Sequence, residues 1–254
     1  MKALPKKVSF ISNLSLSHQW DNIAQERNNQ LRLGKDLSFQ FVLMPTILKL
    51  VDASNKDCVL DAGCGSGVLT ELIAKYSKQV VGIDMSRINI RIADSSINKL
   101  DNIKYTCGTI EAYAKKITQP TFSLLVANML LQDAKNLKQC INAFSKIILP
   151  GGHLVFSITH PWFWPTYWGY DKYDWFKYDE EIAIEAPFRV SSDKDVIGIT
   201  THFHRPISHY LSELHNFGFE IDRLIEPMPR KEIELKYPNL WEFPRFIVIK
   251  CIRK

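Results

Sequence analysis

Three glycines at alternate positions, Gly63, Gly65 and Gly67, constrain the fold of this chain more than any other feature. An apolar run at 58–61 precedes them, and apolar residues at helical spacing follow over 68–77. Because glycine has no Cβ, the backbone can turn tightly there and a ligand can approach it closely. A glycine turn between a strand and a helix is typical of the ligand-binding edge of open α/β sheets.

The spacing of these glycines argues against a dinucleotide site. The dinucleotide fingerprint is G-x-G-x-x-G, whereas this loop reads G-x-G-x-G, one residue tighter. A second predicted strand, 80–84, ends in Asp84, and an acid at that point is placed to accept hydrogen bonds from both hydroxyls of a ribose. A purely structural glycine turn, or a nicotinamide site, is the alternative interpretation.

The sequence D-A-G-C-G-S-G at 61–67 resembles motif I of class I S-adenosylmethionine-dependent methyltransferases, and G-I-D-M-S at 82–86 resembles the motif that follows it. Within that family the chain is similar to the small-molecule branch of the ubiquinone and menaquinone biosynthesis type (methyltransferase type 11). The resemblance implies S-adenosylmethionine as methyl donor and S-adenosylhomocysteine as product. The Asp61 carboxylate would then face the ammonium group of the donor, and the loop amides with the following helix N-terminus would suit its carboxylate.

The predicted cofactor contacts share one location, the carboxyl ends of the first four core strands. They are Asp61, Ala62, Gly63, Cys64, Gly65, Asp84, Met85, Thr109, Ile110, Glu111 and Asn128. The resemblance implies that Asp84 holds the ribose and that Met85 packs on the adenine. Family members usually have an acid at the position of Thr109, so Thr109, Glu111 or a backbone carbonyl would replace it. Met85 as a core residue and Glu111 as an ordinary acid in the first turn of a helix are the alternatives.

Strands and helices alternate along the chain, which predicts an α/β fold with a doubly wound sheet. The predicted strands are 58–61, 80–84, 103–107, 123–128, 153–159, 219–224 and 245–252. The resemblance implies a Rossmann-like seven-stranded sheet that is mostly parallel, with the last strand antiparallel between the fifth and the sixth. The predicted organisation is an N-terminal helical cap (1–54), with helices at 21–33 and 37–51 interrupted at Pro45, a binding core (55–159), an aromatic-rich insertion (160–204) and a segment that completes the core (205–254).

The insertion after the fifth core strand contains four of the six tryptophans. About forty residues separate this strand from the next helix, longer than an ordinary connection, and long loops are often lids or binding loops. The predicted walls of a substrate pocket are Trp162, Trp164, Tyr167 and Trp168. Their faces could attract a sulfonium or a cationic amine. An auxiliary hairpin or a dimer contact is the alternative, because Tyr and Trp are enriched at interfaces.

Three residues flank this insertion as candidates for catalysis: His160, His204 and Arg205. A histidine at a strand end beside the donor can act as a general base at neutral pH. His202 and His204 share one strand face, which also suits a metal, but no third ligand is evident, and we predict no metal. Structural, hydrogen-bonded histidines are the alternative. Methyl transfer is governed largely by positioning, so a strong base is optional.

Composition narrows the classes of function. The chain has 254 residues, 46% of them hydrophobic, and a net charge of +5 with scattered positive residues. Five cysteines without a Cys-x-x-Cys pair favour a reducing, cytoplasmic setting, and neither a signal peptide nor a membrane-length apolar run is evident. We therefore expect O-, N- or C-methylation of a small molecule by in-line transfer, in a monomer or homodimer, with no membrane or nucleic-acid partner. An RNA or nucleoside methyltransferase and a non-catalytic S-adenosylmethionine-binding protein are the alternatives.

Overall fold

The structure is a computed structural model that describes residues 4–52, 54, 56–190 and 197–254. In chain order its elements are β1 (Lys6–Lys7), α1 (Asn13–Arg32), a π-helical turn (Phe39–Leu43), α2 (Met44–Asp52), β2 (Cys58–Ala62), α3 (Val68–Ala74), β3 (Gln79–Asp84), α4 (Arg87–Asp94), β4 (Ile103–Cys107), α5 (Ile110–Ala114), β5 (Phe122–Asn128), α6 (Leu137–Ile147), β6 (Ile148–Thr159), α7 (Phe163–Trp168), a 3₁₀ turn (Tyr170–Lys172), β7 (Ile182–Phe188), β8 (Gly198–His204), α8 (Ile207–Asn216), β9 (Phe219–Ile225), α9 (Lys231–Glu234) and β10 (Phe246–Arg253).

The main sheet has seven strands in the order β4-β3-β2-β5-β6-β10-β9. Strands β4 to β6 pair in parallel, while β10 runs antiparallel to both β6 and β9. The central strand β5 is buried along its length except at Asn128, as expected of a strand with helices on both faces. The predicted Rossmann-like sheet, including the antiparallel last strand between the fifth and sixth, is confirmed.

A second sheet of three antiparallel strands, β1-β7-β8, lies within the predicted insertion and at the N-terminus. The insertion therefore contains a helix, a 3₁₀ turn and a β-hairpin where the sequence suggested a long loop; its residues 191–196 lie outside the described residues. Helix α1 packs between the two sheets. Ser17 Oγ donates to the carbonyl oxygen of Met85 at 2.9 Å, and Gln19 Nε2 donates to Thr201 Oγ1 at 3.1 Å. Helix α1 and the β7–β8 hairpin thus form a roof over the carboxyl edge of the main sheet.

Several element boundaries differ from the predictions for local reasons. Helix α1 begins eight residues before the predicted start at 21, because Ser12 caps it by accepting from the amide of Ser15 at 3.0 Å. Residues 37–52 form one continuous helical stretch, and its regular α-helical pattern is interrupted by the π-helical turn Phe39–Leu43 just before Pro45. Proline removes a backbone N–H there, which accounts for a local irregularity. Helix α6 ends at Ile147, and the Pro150-Gly151-Gly152 segment belongs to β6.

Candidate active site

The glycine loop folds back on the end of β3. The amides of Gly63 and Cys64 both donate to the carbonyl oxygen of Ile83, at 2.7 and 3.0 Å. All three glycines have positive φ, with +70° at Gly63, +54° at Gly65 and +82° at Gly67, and this left-handed region favours glycine. The backbone path of the loop therefore requires glycine at these positions.

The three glycines differ in what surrounds them. A Cβ on Gly67 would lie 2.3 Å from the hydroxyl oxygen of Tyr105, and one on Gly63 would lie 3.0 Å from Leu130. A Cβ on Gly65 would meet no atom within 4 Å. The hydroxyl of the neighbouring Ser66 is buried and has no hydrogen-bond partner among the described residues. Gly67 is thus required by packing, while Gly65 and Ser66 border open space that a ligand can use.

Asp61, at the end of β2, is almost completely buried. Its Oδ2 accepts a hydrogen bond from Thr70 Oγ1 at 2.6 Å. Burial raises the pKa of Asp61 to about 7, and the nearby charge of Asp84 acts in the same direction. A cation placed beside this buried carboxyl group would favour its ionised form.

Asp84, at the end of β3, joins the glycine loop to the start of α4. Its Oδ2 accepts from the amide of Gly65 at 2.9 Å, and its Oδ1 accepts from the amide of Ser86 at 2.8 Å. Burial raises the pKa of Asp84, and these two hydrogen bonds oppose that effect. Asp21 of α1 caps α4 beside it, accepting from Ser86 Oγ at 2.6 Å. The roof helix is therefore bonded directly to the strand end that carries Asp84.

A cavity of about 590 Å³ opens at this carboxyl edge, beneath α1 and the hairpin. Most of the predicted cofactor residues line it: Asp61, Gly63, Cys64, Gly65, Asp84, Met85, Thr109, Ile110, Glu111 and Asn128. Ala62 does not line it, since its side chain is fully buried in the core of the sheet. Thr109 also caps α5, accepting from the amide of Ala112 at 3.2 Å, so its hydroxyl has a structural role.

Only two of the four aromatic side chains predicted to wall the substrate pocket lie at the cavity. Trp164 and Trp168 line the cavity. Trp162 is 61% exposed and makes an edge contact with Tyr178. Tyr167 lies outside the cavity lining, with the guanidinium of Arg245 4.1 Å from its ring centroid. Two of the four side chains thus lie at the cavity, and their role in binding a substrate stays a prediction.

The three predicted catalytic residues do not line the cavity, and this is a correction to the sequence analysis. His160 caps α7, with Nδ1 accepting from the amide of Trp162 at 3.2 Å and Nε2 lying 2.7 Å from Glu226 Oε1. His204 Nε2 donates to the carbonyl oxygen of Tyr178 at 2.9 Å. We therefore assign both histidines structural roles.

Arg205 is also structural in this geometry. It is 1% exposed, and its Nε donates to Glu181 Oε2 at 2.6 Å. Its two terminal nitrogens donate to the carbonyl oxygens of Leu131 and Ala134, at 3.1 and 2.8 Å. The guanidinium thereby fixes the loop after β5 to the start of α8.

The cavity lining also includes many residues that were not predicted as site residues, among them Gln132, Asp133 and His202. Burial raises the pKa of Asp133 well above its ordinary value, and Arg205 opposes that shift. Burial lowers the pKa of His202 to about 4, and its Nε2 lies 3.3 Å from the hydroxyl of Tyr170. Gln132 and Asp133 follow the fourth core strand directly. The sequence could therefore have predicted them as site residues, because the carboxyl ends of such strands meet at the site.

Comparisons with known proteins agree with this geometry. A family model described as a methyltransferase domain matches residues 53–167, which include the glycine loop, Asp84 and the loop after β5. Residues 53–167, somewhat under half of the chain, thus resemble a methyltransferase domain. A ubiquinone biosynthesis O-methyltransferase of Coxiella burnetii is 36% identical to the chain over 100 residues, 39% of this chain and 42% of the relative. The chain thus matches about two fifths of the length of this curated relative.

Solved structures resemble the methyltransferase domain and its surroundings in fold. An S-adenosylmethionine-dependent methyltransferase from Mesorhizobium loti superposes with a TM-score of 0.62 at 22% identity, covering 82% of this chain and 96% of its own. The N-methyltransferase NodS from Bradyrhizobium japonicum superposes with a TM-score of 0.53 at 16% identity, covering 83% and 93%. At such identities the likeness concerns the fold alone.

Two features are absent from the described residues. No helix in the described ranges combines the length and apolarity needed to cross a membrane. Within the same ranges, no group of three His, Cys, Asp or Glu side chains is arranged to hold a metal ion.

Proposed function

We propose that this protein transfers the methyl group of S-adenosylmethionine to a small molecule. The observation that carries the proposal is the open space at Gly65, bordered by Asp84 and Asp61, which leads into a partly open cavity of about 590 Å³. A volume of this size is typical of small-molecule sites. The roof formed by α1 and the hairpin favours a small acceptor over a base of an RNA chain.

The residues around Gly65 fit the charged and polar groups of S-adenosylmethionine. The Ser66 hydroxyl, which lacks a partner among the described residues, and the amides at the start of α3 suit a carboxylate. Asp61 suits an ammonium, since a nearby cation would favour its charged form. Asp84 presents a carboxylate to the hydroxyls of a ribose. S-adenosylmethionine supplies an activated methyl group on a sulfonium when bound.

The chain's own contribution to catalysis is chiefly positioning and exclusion of water. Holding two reactants in line can supply about 7–11 kcal/mol in favourable cases. Trp164 and Trp168 offer flat apolar walls for the acceptor. Asp133 also lines the cavity, and burial raises the pKa of its carboxyl group.

The acceptor class follows from the same cavity. Its aromatic walls favour a flat or apolar small molecule, and the ubiquinone biosynthesis relatives favour methylation at oxygen. The domain limits, the cytoplasmic location and the small-molecule partner of the sequence analysis remain part of this proposal.

Titration calorimetry with S-adenosylhomocysteine tests the donor site. Asp84→Ala removes a carboxylate that accepts two amide hydrogen bonds, and we expect affinity to fall about 100-fold or more, because charged hydrogen bonds contribute about 1.5–3 kcal/mol each. The exposed Asp101→Ala variant is the matched control and should bind like the wild type. Unchanged affinity in Asp84→Ala, with circular dichroism showing an intact fold, would overturn the assignment.

Turnover is a separate measurement. Release of S-adenosylhomocysteine from S-adenosylmethionine, assayed against a panel of phenols, alcohols and amines, is expected for at least one acceptor. Binding without turnover across the panel would favour a non-catalytic S-adenosylmethionine-binding protein.

A further inference from the structure

The side chain of Gln132 carries a buried oxygen with no partner. Gln132 is 4% exposed, lines the cavity, and its Oε1 has no hydrogen bond to any described residue. A buried acceptor left without a donor costs about 1–3 kcal/mol, so such an atom normally has a ligand or an ordered water as its partner.

The orientation of this amide is determined by its surroundings. Its Nε2 donates to the carbonyl oxygen of Met129, and the amide also bonds to the carboxyl of Asp133. A carbonyl oxygen can only accept, so the NH₂ group must face Met129 and the oxygen must point away from it. The unpartnered atom is therefore an acceptor, available to a donor group of an occupant of the cavity or to an ordered water.

The backbone around Gln132 is held in place by two strands. Met129 has φ +57°, the only positive φ at a described residue other than glycine, and its amide donates to Ser157 Oγ of β6 at 3.0 Å. The carbonyl oxygen of Gln132 accepts from the amide of Phe203 in β8 at 2.6 Å. These bonds bring the loop after β5 against β8, so that Gln132 and His202 border the same cavity.

We propose that Gln132 Oε1 accepts a hydrogen bond from a hydroxyl or N–H group of the methyl acceptor, so that the acceptor is a protic aromatic molecule methylated at oxygen or nitrogen. This inference rests on the proposed methyl transfer. The lone pair of the acceptor heteroatom forms the bond to the methyl carbon while the C–S bond breaks and its electron pair stays on sulfur. The proton of the heteroatom leaves to solvent water. Trp164 and Trp168 supply the aromatic walls.

The test compares 2-naphthol with 2-methoxynaphthalene, which differ by replacement of the hydroxyl hydrogen with a methyl group. Affinities are measured by saturation-transfer NMR on protein saturated with S-adenosylhomocysteine. We expect the wild type to prefer 2-naphthol by about tenfold or more, the effect of leaving one buried acceptor unpaired. Gln132→Met, which keeps the length of the side chain and removes its oxygen, should reduce that preference to about two-fold or less.

The controls separate this inference from the donor site. Gln119→Met, at an exposed turn, should keep the wild-type preference, and Gln132→Met should keep its affinity for S-adenosylhomocysteine in calorimetry. Equal affinity of the wild type for the two probes, no binding of either, or a preference that survives in Gln132→Met would overturn the role of Gln132 while the donor site stands. Failure of the wild type to bind S-adenosylhomocysteine would overturn both proposals.

Discussion

Replacing Asp61 by Asn should stabilise the ligand-free protein at neutral and alkaline pH. Asp61 is 1% exposed, and burial raises its pKa from 3.8 to about 7. Asn removes the ionisable group, and its amide oxygen can still accept from the Thr70 hydroxyl that lies 2.6 Å from Asp61. The substitution therefore removes the cost of ionising a buried carboxyl and keeps the local hydrogen bond.

The sign of the effect follows from proton linkage. A raised folded-state pKa means that the folded protein binds more protons than the unfolded chain between pH 3.8 and about 7. The contribution of Asp61 to stability is thus fully present below pH 3.8 and is lost as the pH rises through about 7. Each pH unit in this window costs about 1.4 kcal/mol, which gives an upper limit of about 4 kcal/mol.

Urea unfolding of both proteins at several pH values measures the difference. The free energy of unfolding of Asp61→Asn minus that of the wild type should rise by about 2 kcal/mol between about pH 5 and pH 7 and level off above about pH 8. The exposed Asp101→Asn variant should show no such pH dependence. A difference that is independent of pH, or a variant less stable than wild type at about pH 8, would refute the reasoning.

The remaining predictions separate site residues from structural ones. Gly65→Ala and Gly151→Ala, whose φ values are +54° and +74° with open space at each Cβ, should each lose about 1–2 kcal/mol of stability, yet only Gly65→Ala should lose affinity for S-adenosylhomocysteine in calorimetry. Arg205→Ala should lower the free energy of unfolding by about 3–5 kcal/mol in urea, because it leaves buried carbonyl oxygens unpaired; a stable Arg205→Ala protein without activity would instead favour a catalytic role. His160→Ala should cost about 1 kcal/mol through loss of the α7 cap, and an abolished S-adenosylhomocysteine affinity would contradict this structural role.

Much of the geometry proposed to hold the donor could be predicted because its determinants are local. A buried strand, a glycine turn and a helix in direct succession already define the loop at 61–67, and Asp84 follows the next strand. The carboxyl ends of neighbouring parallel strands meet at one edge, so residues distant in sequence could be grouped without knowing the three-dimensional structure. The same order of elements determined the seven-stranded sheet.

Which side chains border the part of the cavity proposed for the acceptor depended on tertiary packing. His202 and His204 lie on the same face of β8, yet only His202 lines the cavity. Their positions relative to the cavity are set by the pairing of β8 with β7 and by the contact of α1 with β8. Likewise, Trp164 in the first turn of α7 lines the cavity, whereas Trp162 at the start of the same helix is 61% exposed.

The sequence by itself therefore determined the class of sheet and the loop that meets the donor, because both arise from residues adjacent along the chain. Only the tertiary structure decided which polar groups border the acceptor. The unpaired oxygen of Gln132 shows the reason: its state depends on the carbonyl of Met129, the amide of Phe203 and the absence of any other donor within reach among the described residues. Such hydrogen-bond partners are set by the packing of separate elements, and residue spacing along the chain does not encode them.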